Sequence, residues 1–308
     1  MNLITLHTQR RLRAPVAAAL ALFASALATA PARGAPTTVV ATTTILGDLT
    51  RVVAGPDARV VTLMPPGADP HQWEPSARQA GVLRSAELVV ANGLGLESGL
   101  RSVLAAARED GARVLEVAPH CSPLPGPGGG LDPHVWTDPR RMELAARVIA
   151  DALGARLDPA AARRVARRAT AYRRVLRRED ARVRARLARV PAGRRAIVTN
   201  HHVLGYFAHR YRFRVVGAVI PNTSTLASPS ARDLAALART IRRERVRAIL
   251  VDSSSPRRLA DALAGEAELP VRVETIYSES LGPPGSPAAT YLGMVRFNAD
   301  RIAGAVGA

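Results

Sequence analysis

Two stretches of this 308-residue chain repeat the same short phrase, Asp69-Pro70-His71-Gln72-Trp73 and Asp132-Pro133-His134-Val135-Trp136. A neutral imidazole nitrogen is a ligand for zinc and its neighbours in the first transition row. The proline ahead of each histidine fixes its own φ and restricts the residue before it, so both imidazoles are presented on stiff loops. A single histidine is more often an ordinary polar contact than a ligand. Two in one setting, with His201 directly after the apolar run 196–199, point to a cation held between different parts of the chain. Three imidazoles and one carboxylate complete a tetrahedron. His202 is a competing donor beside His201, whereas His120 and Cys121 read as part of a solvent loop. Catalytic signatures are missing: the chain has no His-Glu-x-x-His helix and no nucleophile elbow.

The elements that must position these residues follow from hydrophobic periodicity. Short apolar runs at 39–43, 60–64, 88–91 and 114–117 alternate with helix-like segments at 45–54, 76–85 and 97–108. This is the pattern of a parallel sheet flanked by helices. A proline- and glycine-rich stretch, SPLPGPGGG at 122–130, then delivers the second histidine phrase and a helix at 139–153. From 159 to 190 the apolar positions Val165, Tyr172, Leu176, Val183, Leu187 and Val190 recur at steps of seven, four and three between arginines. They predict one amphipathic helix about 45 Å long, the length of a domain and suited to a strut between two lobes. Beyond Pro191 and Gly193 the alternation resumes, with strands at 196–199, 215–219, 248–251 and 271–275, and helices at 202–211, 230–244, 256–267 and 289–306.

The N-terminus carries Arg10, Arg11 and Arg13, then an apolar run at 16–28, then small residues at 30–35. That order of parts is a secretory signal peptide, and the run is shorter than the roughly 20 residues a spanning helix needs. The one cysteine, Cys121, excludes an intramolecular disulfide and lies far from the position that would carry a lipid anchor. The expectation is a soluble, exported, periplasmic protein. The net charge of +18 concentrates at 158–195, where fourteen arginines face three acids; lysine is absent throughout. The run lacks the interleaved aromatics that stack on bases, which favours a solvated helix face over a nucleic-acid contact.

Several longer stretches carry a resemblance: MPPGADPHQWEPS at 64–76, LDPHVWTDP at 131–139, TNHHVLGYFAHRY at 199–211, IPNTSTLASPSARDLAAL at 220–237 and IYSESLGPPGSPAATYLGMVRFN at 276–298. In these words and this order the chain resembles the metal-binding solute-binding proteins of ATP-binding-cassette zinc and manganese importers. The resemblance implies an α/β fold of two lobes, each a small, mainly parallel four-stranded sheet flanked by helices, joined by one long rigid helix. The corresponding divisions are a signal peptide at 1–34, a first lobe at 35–157, the linking helix at 158–192 and a second lobe at 193–308. It implies a metal site of His71, His134, His201 and Glu279, with zinc as transported ligand and manganese as the alternative. It also implies a monomer that delivers the ion to an inner-membrane permease. Relatives usually have aspartate where this chain has Glu279, which is one methylene longer. The loop at 120–131 is too short to be the histidine-rich collector of some zinc-directed relatives. The alternative reading is an exported zinc-dependent hydrolase with Glu279 as general base; an adhesive surface role leaves no mark in the sequence.

Overall fold

Consecutive apolar residues in strands four or five long can be buried on both faces only if helices cover both, and that arrangement organises the chain. The computed structural model describes residues 37–127 and 129–307; the expected leader at 1–34 lies outside them. The first lobe contains β1 (Thr38–Ala41), α1 (Thr44–Ala54), β2 (Arg59–Thr62), α2 (Ala77–Arg84), β3 (Leu88–Ala91), α3 (Arg101–Glu109) and β4 (Arg113–Glu116). Its strands are all parallel in the order β2-β1-β3-β4. After α4 (Pro139–Gly154) and α5 (Pro159–Ala188), the second lobe contains β5 (Ala196–Thr199), α6 (Gly205–Tyr211), β6 (Arg214–Ala218), α7 (Ala231–Arg243), β7 (Ala248–Asp252), α8 (Arg258–Glu266), β8 (Arg272–Ile276) and α9 (Tyr291–Gly307). Its order, β6-β5-β7-β8, repeats the winding of the first sheet, again parallel. The fold is the expected pair of four-stranded α/β lobes.

Local chemistry sets the helix boundaries. Ser76 with Gln79 and Ser230 with Asp233 form reciprocal capping boxes at the starts of α2 and α7. Asp138 and Asp158 cap α4 and α5, each followed by a proline in the first turn. Where β5 pairs with β6 the register slips by one residue, and Gly217 sits opposite Val198. A Cβ on Gly217 would lie 2.5 Å from Leu237 Cδ1, so glycine there lets α7 approach the sheet.

The predicted strut is α5, thirty residues long. Val165, Ala169, Tyr172 and Leu176 on its first half pack into the core of the first lobe, with Val39, Leu49 and Ile149. Val183 and Leu187 on its second half pack into the core of the second, with Ile197 and Leu250. At the changeover, buried Glu179 and Asp180 pair with Arg296 of α9 (2.6 Å) and Arg210 of α6. A second element also spans both cores: α9 contributes Tyr291 and Met294 to the first, and Ala299, Ile302 and Val306 to the second.

Candidate metal centre

In parallel sheets of this kind, ligands gather at the C-terminal ends of the strands, and all four predicted donors lie on loops that leave those ends. His71 follows β2, His134 follows β4, His201 follows β5, and Glu279 follows β8. The four side chains converge in one buried cluster with their ligand atoms within 4.8 Å of one another. His134 Nε2 lies 3.3 Å from both His71 Nε2 and His201 Nε2. Glu279 Oε1 is 3.2 Å from His201 Nε2 and 3.9 Å from His134 Nε2, and its Oε2 is 3.7 Å from His71 Nε2. A tetrahedral ion with bonds of about 2.0–2.1 Å sets neighbouring donors about 3.4 Å apart, so these separations have the size of one coordination shell. His202 is outside the cluster: its backbone N–H donates to Asn222 O (2.9 Å), and its side chain is half-buried.

The two Asp-Pro-His phrases build the same turn. In each, the aspartate Oδ1 accepts the histidine N–H two residues on, Asp69 from His71 at 2.9 Å and Asp132 from His134 at 3.0 Å. Beyond that they diverge. Asp132 Oδ1 also accepts from His134 Nδ1 (2.7 Å), which places the ring proton on Nδ1 and leaves Nε2 as a lone-pair donor for a cation. Gly205, at the start of α6, makes room: a Cβ there would lie 2.7 Å from Asp132 Oδ2. Asp69 Oδ2 turns instead to the other lobe, accepting from Thr225 Oγ1 at 2.6 Å.

Several supporting groups left no recognisable signal in the sequence. Asp252, which ends β7, accepts the N–H groups of Ser278 (2.6 Å) and Glu279 (2.9 Å) on one oxygen and that of Ser254 (2.7 Å) on the other, so it sets the loop that carries Glu279. The only hint is an acid closing the apolar run AILVD. Trp136 Nε1 donates to Ser278 O (2.7 Å), joining the second histidine loop to the glutamate loop. Asn92 holds Pro133 O (3.0 Å), and its own N–H is taken by buried Glu97 (2.6 Å). Thr44 receives the Leu281 N–H (2.9 Å) across the lobes.

Burial sets the electrostatics. It depresses His71 and His201 to about 4 and His134 well below the usual imidazole value, so all three are neutral donors at physiological pH. Burial also raises Glu279 well above the carboxylate range, with His71 opposing, and raises Asp132 to about 6. Both Glu279 oxygens and His201 Nδ1 are buried without a hydrogen-bond partner. A buried, unpartnered carboxylate is costly unless a cation answers it, and this donor set fits one.

The comparisons with known proteins agree. The family model described as zinc-uptake complex component A, periplasmic, matches residues 39–305. The chain belongs to this family. Among its relatives, the zinc-binding protein TroA of Treponema pallidum is 33% identical over 276 residues, 87% of this chain and 88% of TroA. The manganese-binding lipoprotein MntA of Bacillus subtilis is 31% identical over 271 residues, covering 86% and 88%. The solved structure of the periplasmic zinc-binding protein TroA superposes with a TM-score of 0.83 at 32% identity, over 89% of this chain and all of that one. The Mn-bound periplasmic metal-binding protein of Candidatus Liberibacter asiaticus, at 24% identity and a TM-score of 0.78, shares the fold.

Proposed function

We propose that His71, His134, His201 and Glu279 hold a single divalent transition-metal ion as cargo, zinc in preference to manganese, and that the protein carries it to the permease of an ATP-binding-cassette importer. The observation that carries this reading is the spacing of three imidazole Nε2 atoms and a carboxylate from two lobes at contact distances suited to one ion. Relatives named for zinc and for manganese support both metals. Three nitrogens and a single carboxylate favour zinc, because manganese prefers more oxygen donors. The longer glutamate brings both oxygens to face the imidazoles, so the extra methylene is absorbed within the site.

Capture rather than turnover follows from the same geometry. A catalytic zinc keeps a coordination position for water. Here Glu279 stands at ligand distance from its neighbours instead of a water's width away, which disfavours the hydrolase reading. The divisions 35–157, 158–192 and 193–308 act as lobe, beam and lobe of a monomer that does not engage nucleic acid. The leader at 1–34 sends the protein to the periplasm in soluble form, and Cys121, packed in the first core, carries no lipid.

The test is calorimetric titration of the purified, metal-stripped protein with zinc and then manganese, for wild type and for His71→Ala, His134→Ala, His201→Ala and Glu279→Ala. One site per chain, weakened at least tenfold by each change, is expected. Undiminished zinc binding after loss of both His71 and His201 would refute the assignment.

A further inference from the structure

The arginines of α5 divide into two sets. Arg164 and Arg168 close on Asp57, Arg177 on Glu143 (2.6 Å) and Arg186 on Asp300 (2.7 Å). A second set, Arg163, Arg167, Arg174, Arg178 and Arg182 with the C-cap Arg189, is exposed, and none of these guanidiniums pairs with a carboxylate among the described residues. Their steps of four, seven, four, four and seven residues return to one side of the helix. At about 100° per residue the six fall within an arc of about 100°, and at about 1.5 Å per residue they extend over about 39 Å. The result is a basic ridge along the length of the strut.

Nothing on the same helix answers that charge. The only acids of α5, Glu179 and Asp180, are buried and engaged by Arg296 (2.6 Å) and Arg210. Where the ridge meets α9, Arg182, Arg186, Arg189 and Arg296 border a cleft of about 340 Å³ together with Glu179 and Asp300. Its two carboxylates are taken by Arg296 and Arg186, so Arg182 and Arg189 remain in excess at its rim. Like charges four residues apart, as in Arg163–Arg167, Arg174–Arg178 and Arg178–Arg182, weaken a helix. Their Cβ atoms stand about 5–6 Å apart, inside the screening length of about 8 Å at physiological ionic strength, so the repulsion persists until anions gather over the ridge. The exposed residues between the arginines are small, Ala166, Thr170, Ala171 and Ala181 among them, and no large apolar side chain of α5 is exposed. Such a surface adsorbs electrostatically and has nothing to insert into hydrocarbon.

We propose that the α5 ridge lays the protein on an anionic lipid bilayer, its guanidiniums on headgroup phosphates and its axis along the membrane plane. The line of the charges favours this partner, because a flat sheet of phosphates engages all six arginines together through their forked donors. The ridge has no exposed aromatic side chain to stack on the bases of a single strand, and a nucleic-acid duplex is the competing partner. Each arginine near an anionic bilayer contributes about fivefold in affinity, so the six act as a set whose hold falls steeply with salt. None of the four metal donors lies on α5, so adsorption keeps the carrier at the membrane with or without its ion.

The experiment is co-sedimentation of the processed protein, purified without its leader, with vesicles of phosphatidylcholine alone and of phosphatidylcholine containing about one-third phosphatidylglycerol. Binding to the anionic vesicles is expected at low salt, with at least tenfold less on the neutral ones and at least a tenfold loss at physiological ionic strength or above. R167Q/R174Q should weaken it at least tenfold. The charge-matched control is R113Q/R239Q, which removes two exposed arginines from β4 and α7 and should leave it within about twofold. Metal-loaded and metal-stripped protein should bind vesicles alike, so this result stands or falls separately from the assignment of the metal ligands. An unchanged melting temperature in each variant shows that the fold survives. Equal losses in the two double variants would reduce the effect to the chain's overall charge and overturn the proposal. Equal binding to neutral vesicles would also overturn it, as would tighter binding of a short DNA duplex than of anionic vesicles with the loss confined to R167Q/R174Q.

Discussion

At the residue scale, the protonation of the metal site in the free protein decides how capture depends on pH. Zinc requires deprotonated donors. The sequence alone suggests that protonating ordinary histidines would weaken binding as pH falls through their usual range. Burial moves that event: His71 and His201 titrate near 4, while Glu279 is raised and keeps a proton at pH values where an exposed carboxylate has lost it. Metal binding must displace the Glu279 proton, so affinity rises with pH above the ordinary carboxylate range until that raised pKa is passed. Titration in buffers of different ionisation enthalpy should show protons released as the ion binds, fewer as pH rises, and Glu279→Gln should abolish the release along with much of the affinity. Proton release unchanged in Glu279→Gln would assign it to another group. The three histidines were legible because they stand in repeated phrases or beside a strand. Asp252 and Glu97 were not, because an acid that accepts backbone N–H groups in a buried turn looks in sequence like any loop acid.

At the scale of elements, two contacts carry separate consequences. The Asp69–Thr225 hydrogen bond crosses from the first histidine loop to the segment between β6 and α7, and Gln72 Nε2 bonds both partners, at 3.0 Å and 3.1 Å. A hydrogen bond of this kind contributes about 1 kcal/mol net, or about fivefold in an equilibrium. Thr225→Val should accordingly speed zinc release several-fold in stopped-flow chelator competition while leaving the stoichiometry at one; an unchanged release rate would show that the bond does not hold the lobes together. In the turn between α1 and β2, Asp57 meets two arginines of α5 and is held down to about 2, chiefly by its hydrogen bond from Arg164, with Arg168 adding to it. Its folded value lies below its unfolded one, so the stabilisation is present above about pH 4 and is lost as pH falls toward 2. Asp57→Asn should lower the melting temperature at pH 7 and flatten its decline between about pH 4 and pH 2, where the wild type loses this contribution. The helix and strand boundaries were legible from caps, prolines and apolar runs. The cross-lobe contacts were not, because they join residues far apart in the chain, 156 positions for Asp69 and Thr225.

On the scale of the whole molecule, the sequence identified α5 as a beam from its apolar stripe, but it gave no sign that α9 is a second one. The α9 stripe reads as an ordinary terminal helix, and only the packing shows Tyr291 and Met294 in one core and Ile302 and Val306 in the other. Two helices rooted in both cores couple the stability of the lobes. Thermal unfolding of the metal-free protein should be a single transition, and Leu176→Ala, which opens a cavity where α5 enters the first core, should lower that transition as a whole, at a cost of about 2–5 kcal/mol. Independent melting of one lobe at an unchanged temperature would show that the beams do not couple them. A saturating ion should raise the same transition, by about 2.7 kcal/mol at a concentration a hundredfold above its dissociation constant.

The chain has only two tryptophans, and each stands two residues after a proposed ligand: Trp73 after His71 and Trp136 after His134. The Trp136 ring lies 5.2 Å from the His134 imidazole, and its indole N–H reaches across to the glutamate loop. The protein is thereby its own optical indicator. Its ultraviolet emission should shift in step with zinc occupancy, without any added dye, and Trp136→Phe should remove most of the signal while Trp73→Phe leaves the greater part.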